Sequence, residues 1–566
     1  MFNKKFGIVF AFLIVIASSA YGQESVLPLL PYDGTVATFV DEQFKADTTT
    51  TGGLLADRVY ELQRDAVYLT RAIITIQAGK TLRMRAATGT GEKPIIYLWE
   101  QGTGNTPTRP PGNFVQLAGG NLELYNLCIV GYYELEPERL DGVQGGLINT
   151  NAVGSSIIVD GVVFSNINGQ HIRTGSNAVK VKVTNTIFAN MGALTTSNLG
   201  AGKGLDLREA TIDTFIVQNC TFVNFQDRAI RHYNFGNPLL GTGPIKYGLI
   251  DHNTFVNGMG YHGLLSLGNV GNDIHITNNL FVDAFSLGED STDVTRIAEW
   301  ANTGEKYPNG ANRITWIFSA PNDTTQWRVA NNYYTVSDSG QAFLDDFEFP
   351  LGAPLSWHIN HKVQAQGGDT LTAFQEVALD LVNVPQLMNN MMRWYEDPTG
   401  GNKSKNTPGV VFDPMTDDFD RRLITYYRDS LDASYSTSSA AYTGAKGGYP
   451  VGDLNWFPDQ KALWAADVTT GVSGSEAIPV EFTLNQNFPN PFNPSTTLTY
   501  GVPVEAQVTL EVFDVLGRKL AVLAEGKRLA GTYTVSFDAS NFVSGVYFYR
   551  LTTPNSSITR KMMLLK

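Results

Sequence analysis

Val217-Gln-Asn-Cys-Thr-Phe-Val-Asn224, Ile250-Asp-His-Asn-Thr-Phe-Val-Asn257 and Ile276-Thr-Asn-Asn-Leu-Phe-Val-Asp283 are three spellings of one phrase. Looser copies run from Val159 to Asn166 and from Val183 to Asn190, and more degenerate ones from Leu124 to Gly131 and from Val329 to Val336. Aligned on their apolar or aromatic anchor, the copies give Ile129, Phe164, Phe188, Phe222, Phe255, Phe281 and Tyr334. Anchors that return every few tens of residues, at uneven spacing, mark stacked structural repeats.

Each copy opens with β-branched residues alternating with polar ones, as in Phe215-Ile-Val-Gln and Ile274-His-Ile-Thr, so every second side chain points to one face. A single copy cannot bury that face. Copies stacked about 4.8 Å apart can, because equivalent columns then pack into one continuous core. Three positions before each anchor stand Asn126, Gly161, Asn185, Asn219, His252, Asn278 and Asn331. This column predicts an asparagine ladder at a strand corner, and it gives His252 a structural role. The pattern predicts an all-β chain, a right-handed parallel β-helix whose unequal repeats differ in their loops. Helical solenoids fit poorly, since the copies lack apolar spacings of three and four.

The chain has 566 residues, 43% of them hydrophobic and 17% charged, with 55 glycines that suit a turn-rich β protein. A formal charge of -13 argues against general nucleic-acid binding. Residues 1–22 read as a secretory signal peptide: Lys4 and Lys5, the apolar run Phe6 to Ile16, then the small-x-small site Ala20-Tyr-Gly22. No later apolar run is long enough to span a bilayer, so no transmembrane segment is expected after signal removal. Cys128 and Cys220 fall in different columns three anchors apart, about 14 Å, beyond disulfide reach. Two buried free thiols are expected.

The remaining divisions are a lead-in at 23–50, the β-helix at 51–340, an irregular cap or fold-back at 341–468, a linker at 469–480 and a small β-sandwich at 481–566. The irregular region offers possible helices at Leu371 to Leu381 and Asp417 to Leu431. In the last segment, Leu484-Asn-Gln-Asn-Phe-Pro-Asn-Pro-Phe-Asn-Pro-Ser-Thr-Thr497 is followed by Val512-Phe-Asp-Val-Leu-Gly-Arg518, Gly531-Thr-Tyr533 and Ser544-Gly-Val-Tyr-Phe-Tyr-Arg-Leu551. These motifs resemble the type A sorting domain of the type IX secretion system. The resemblance implies export across the outer membrane of a Gram-negative bacterium, to the medium or the outer cell surface, with the secretion machinery as partner.

The ladder itself, over roughly Thr51 to Val336 and most clearly in Ile250-Asp-His-Asn-Thr-Phe255, resembles the pectate-lyase-like β-helix superfamily. That resemblance implies a polysaccharide partner and, for many members, β-elimination on uronate glycans, often with calcium. In the superfamily an Arg or Lys commonly serves as base, and Lys, Arg or calcium handles the charge. Elimination needs a base for the proton beside the uronate carboxylate and a cation for the enolate charge. Basic residues at matching positions of successive coils are therefore the candidates. They are Arg231 and Arg208 for catalysis, with Arg173, His232, His171, Lys203 and His262 for substrate binding. Alternation in Arg228-Ala-Ile-Arg-His232 places Ile230 inward and Arg231 outward, and Arg173 and Arg231, each nine residues past an anchor, suggest neighbouring columns. Asp206, Glu209 and Asp227 could hold calcium or pair with the arginines beside them. The echo Arg231-His-Tyr233 of a family-six lyase signature lacks its glycine. A noncatalytic glycan-binding or adhesin-like β-helix is the alternative to a lyase; a hydrolase with paired carboxylates is a weaker third.

Overall fold

The computed structural model describes residues 24–101, 111–131, 144–192, 200–208, 210–232, 244–260, 264–267, 270–286, 315–317, 325–346, 357–366, 370–385, 390–403, 431–470, 482–487, 490–503, 506–528, 531–540, 542–553 and 556–566. The expected signal peptide and most of the expected linker lie outside them. The chain separates into two compact units, Met1–Ala462 and Leu463–Lys566.

The first unit is a parallel β-helix. One coil shows how the phrase builds it. Strand Ile212–Gln218 alternates, with Phe215 and Val217 buried and Ile216 and Gln218 half-buried. Asn219 then takes a left-handed φ of 53°, and strand Thr221–Phe225 forms the second face. Asn224 repeats the left-handed turn at φ 54°, and Ile230–His232 forms the third face. Strands of the first face make one ten-stranded sheet; those of the second and third belong to a seventeen-stranded sheet, joined where Val163–Thr174 runs through the bend. Every anchor pairs in parallel register with the next: Ile129 with Phe164, then Phe188, Phe222, Phe255, Phe281 and Tyr334. The column also continues backwards to Ile96 and Tyr68, where no phrase is legible. Between Phe188 and Phe281 the rings lie 4.7 to 5.0 Å apart and nearly parallel, so the strand spacing itself sets an offset stack.

The corner column is left-handed throughout, from Asn126 (φ 56°) to Asn331 (φ 56°), which explains its small amides and Gly161. His252 shares that backbone (φ 49°), and its Nδ1 lies 2.9 Å from Asp251 Oδ2, in keeping with its structural reading. In the expected column Asn331 Nδ2 donates to Asn278 Oδ1 (3.3 Å), and a second amide ladder stands one residue later. Asn253 Nδ2 donates to Asn279 Oδ1 (3.0 Å), and Asn279 Nδ2 to Asn332 Oδ1 (2.8 Å). Each of the three also caps a carbonyl, of Val217, Ile250 and Ile276. The left-handed residue bends the chain, and the next side chain is the one turned into the stack. At the second corner Asn224 and Asn257 each donate to the amide one coil before, Asn190 and Asn224. Cys220 stands before Asn253 in the inner column, and both cysteines are buried thiols outside any disulfide.

The ends differ from the expected boundaries. Strand Ser25–Leu29 pairs with Arg58–Leu62, and Val40 of helix Val40–Thr50 packs into the core, so the lead-in is the first rung and its cover. At the other end Phe374–Glu376 adds a strand beyond Tyr334. Leu371 to Leu381 is accordingly a short helix, Thr370–Ala373, followed by strand rather than one helix. Phe343, Ile359 and Tyr395, from three short helices, close the core. The chain then runs back along the stack. Gly452 N bonds Asn278 O, Asp453 N bonds Thr254 Oγ1, Thr221 Oγ1 bonds Asp453 Oδ2, Asn455 Nδ2 bonds Asn219 O, and Lys461 Nζ bonds Asn185 Oδ1. This strap lies along the corner before the second face, whose outward Val223 and Val256 are fully buried.

In the second unit Ser495–Val502 pairs with Thr483–Leu484 and Gly531–Asp538, and a four-stranded antiparallel sheet runs Lys519–Arg528, Ala506–Phe513, Gly545–Thr552, Ser557–Leu564. The sheets share a core of Leu498, Tyr500, Val512 and Tyr549, making a small β-sandwich.

Candidate functional site

The third face gathers buried and half-buried charged side chains. Its pairings align Gln116, Asn149, Arg173, Asp206, Arg231 and Ser266 in one column, one residue per coil. The flanking columns are core: Ile172, Leu205, Ile230 and Leu265 on one side, Thr174 and His232 on the other, all fully buried. Arg173 and Arg231 thus share one column two coils apart, rather than occupying neighbouring ones. The intervening coil, that of Phe188, supplies Asp206 between them.

Two carboxylates organise four cations here. Asp206 Oδ1 lies 3.6 Å from Arg231 Nη1, and Asp206 Oδ2 3.9 Å from Arg208 Nε. Asp227 Oδ2 lies 2.7 Å from Arg228 Nε and 3.5 Å from Lys203 Nζ. Strand register brings Arg228 level with Lys203, since Leu205 pairs with Ile230. Asp227 is tightly held. Asp206 is not: neither oxygen accepts a hydrogen bond among the described residues, so it keeps acceptor capacity for a hydroxyl or a proton. Arg208 turns the coil at φ 50°, a conformation that arginine rarely adopts, and its side chain is the accessible edge at 30% exposure. Behind it Arg231 is 9% exposed, and Lys203, Asp227 and Arg228 are buried.

Burial sets the protonation of this group. It pulls the Lys203 ammonium down to about 8, against the opposing pull of Asp227, and the Arg231 guanidinium down to about 10, against Asp206. With four cations to two carboxylates, the cluster favours a further anion over a further cation.

The predicted residues divide accordingly. Arg173, Arg208, Arg231 and Lys203 come together with Asp206 and Asp227. His232 does not join them: the alternation that turns Arg231 outward turns His232 inward, where Nε2 lies 2.9 Å from Ala210 O. His171 is also in the core, 5.7 Å from the Phe164 ring and 5.5 Å from Phe188, because His171 and Ile172 are both turned inward near the bend of the long strand. Its burial pushes the imidazole down to about 3, so it is neutral and solvent-shielded rather than a substrate contact. His262 and Glu209 lie outside the described residues. Of the calcium set Asp206, Glu209 and Asp227, the two described members each already face two cations, and no group of three or more His, Cys, Asp or Glu gathers among the described residues. The surroundings of these two do not fit a calcium ion, which needs several unclaimed oxygens. Arg228 was missed as a site residue; its signal was its place three residues before Arg231, level with Lys203.

At the other end of the chain, the four motifs of the sandwich fall on its strands and turns, from the Leu484 strand to the hairpin at Asp514 and the strand at Gly545. Residues 486–565 match the secretion system C-terminal sorting domain. This tail marks the protein as secreted or displayed at the cell surface, with the type IX machinery as its exporter. No curated protein matches the chain. No helix among the described residues is long and apolar enough to cross a membrane.

Proposed function

We propose that the protein is an exported polysaccharide lyase that acts on an anionic, uronate-containing glycan by β-elimination at the third face of its β-helix. The observation that carries this reading is the column Arg173, Asp206, Arg231 with Arg208 folded over it. Arg208 and Arg173 would take the uronate carboxylate from the accessible edge, and Arg231 would stabilise the enolate charge that develops when the neighbouring proton leaves. Asp206, with acceptor capacity left, would receive that proton; the C–H electron pair becomes the new double bond as the glycosidic oxygen leaves and takes a proton from solvent. Lys203, Asp227 and Arg228 would hold the column from behind.

A second reading is favoured by the depth of the same cluster: with only its edge exposed, it suits a noncatalytic glycan-binding β-helix. Ultraviolet absorbance of unsaturated uronate products, measured over pectate, alginate and glycosaminoglycans, separates the two. The lyase reading expects product on at least one glycan. Absorbance on none, with glycan still retained in a pull-down, assigns the protein to the binding class.

A further inference from the structure

Four of the sorting domain's five exposed large aliphatic side chains, among the described residues, lie at one end. Among the described residues of the sandwich, the exposed large aliphatic side chains are Val515 (65%), Leu516 (75%), Val543 (78%), Leu565 (52%) and Val522. The register of the four-stranded sheet places the first four together. Phe513 pairs with Phe548, so the hairpin tip at Val515 and Leu516 continues level with Val546 and Gly545; Gly545 pairs with Leu564, the neighbour of Leu565. Val543 lies two residues before that strand. Val522 sits elsewhere, within strand Lys519–Arg528 opposite Glu511.

This end is also preorganised. Asp514 Oδ1 accepts from the backbone N–H of Leu516 and of Arg518, both at 2.9 Å, and Gly517, at φ 76°, returns its N–H to Asp514 O. Tyr547 donates its hydroxyl to Val543 O at 2.7 Å, and Leu565 N bonds Phe492 O at 3.0 Å. Central turn positions ordinarily favour Gly, Asn, Asp or Pro, and a β-branched valine beside a leucine is a poor choice for the hairpin alone. A fixed apolar cluster costs solubility unless something covers it, and a sorting domain is by its nature read by a protein machine.

We propose that Val515, Leu516, Val543 and Leu565 form the docking surface of this domain, received by an apolar-lined pocket on a protein component of the type IX machinery. The test is export of the full chain from a type IX-competent host, read as the fraction outside the cells. A Val515→Ser/Leu516→Asn double variant should lose about tenfold or more of that fraction while its purified form keeps the parental circular dichroism, and Val522→Thr should export normally. Should the double variant fail to fold, Val543→Ser, on a separate segment, gives the same reading. Parental export by a folded double variant, or by Val543→Ser, overturns the proposal. Two other outcomes overturn it by naming a different occupant. One is a parental dimer in sedimentation that the variant loses without losing export. The other is binding to phosphatidylethanolamine–phosphatidylglycerol vesicles that the variant loses without losing export.

Discussion

Two columns run down the same coils and obey opposite rules. Asn253, Asn279 and Asn332 repeat one residue, and each amide closes its hydrogen bonds on the next coil and on a backbone carbonyl. Asn149, Arg173, Asp206, Arg231 and Ser266 do not form a repeated series: charge alternates through its three central members, and the carboxylate among them sits 3.6 Å from Arg231 and 3.9 Å from Arg208 at the turn, without a hydrogen bond among the described residues. Repetition of a self-complementary group is what stacking requires. Variation at a position the stack leaves unconstrained is where recognition can be written, and here the strained turn at Arg208 stands beside it.

The contrast can be broken by substitution. Asp227→Ala should cost the most, about 4 kcal/mol in unfolding free energy of the β-helix, because Lys203 and Arg228 would stay buried without their counter-charge. Asn279→Ala should cost about 3 kcal/mol, since it removes the bond to Ile250 O, leaves the Asn253 N–H without its side-chain acceptor and takes one of two bonds from the Asn253 amide nitrogen inside the core. Denaturant titration of each variant checks both values, and a reversed order would mean that the charge cluster is better hydrated than its burial implies.

His171 sharpens the same contrast through pH. Its folded value of about 3 lies below the ordinary 6.5, so between the two the unfolded chain binds a proton that the folded chain refuses. The stabilisation is complete above about 6.5 and is lost as pH falls towards 3, amounting to about 2 kcal/mol already at pH 5. His171→Leu should flatten that part of the stability–pH curve. An unchanged curve would place the loss on other groups.

Most of the β-helix was legible because a coil that must stack on its neighbours has to repeat. The Phe anchors, the left-handed corner and the parallel faces all follow from alternation and the position of Asn. The first coils were not legible: Tyr68 and Ile96 hold anchor positions without the phrase, since apolar volume is all that the core demands there. The second ladder, one residue later, was not legible because a corner's backbone conformation and its side-chain direction belong to successive residues. Of the site, the arginines on the third face were legible from alternation, which also spoke against His232. Their column was not, because unequal loops hide which coil Asp206 belongs to. The burial of Lys203 and His171 depends on bends and coverings that no local pattern records.

The most direct test sets Arg231→Gln beside Asn279→Ala and follows two quantities in each, the unfolding midpoint and the ultraviolet signal of unsaturated uronate per folded molecule. Arg231→Gln should unfold within about 1 kcal/mol of the parent, as a position near the surface does, and release no product. Asn279→Ala should lose stability while its folded fraction releases product at the parental rate. Product from Arg231→Gln at the parental rate would contradict the assignment of function to the alternating column.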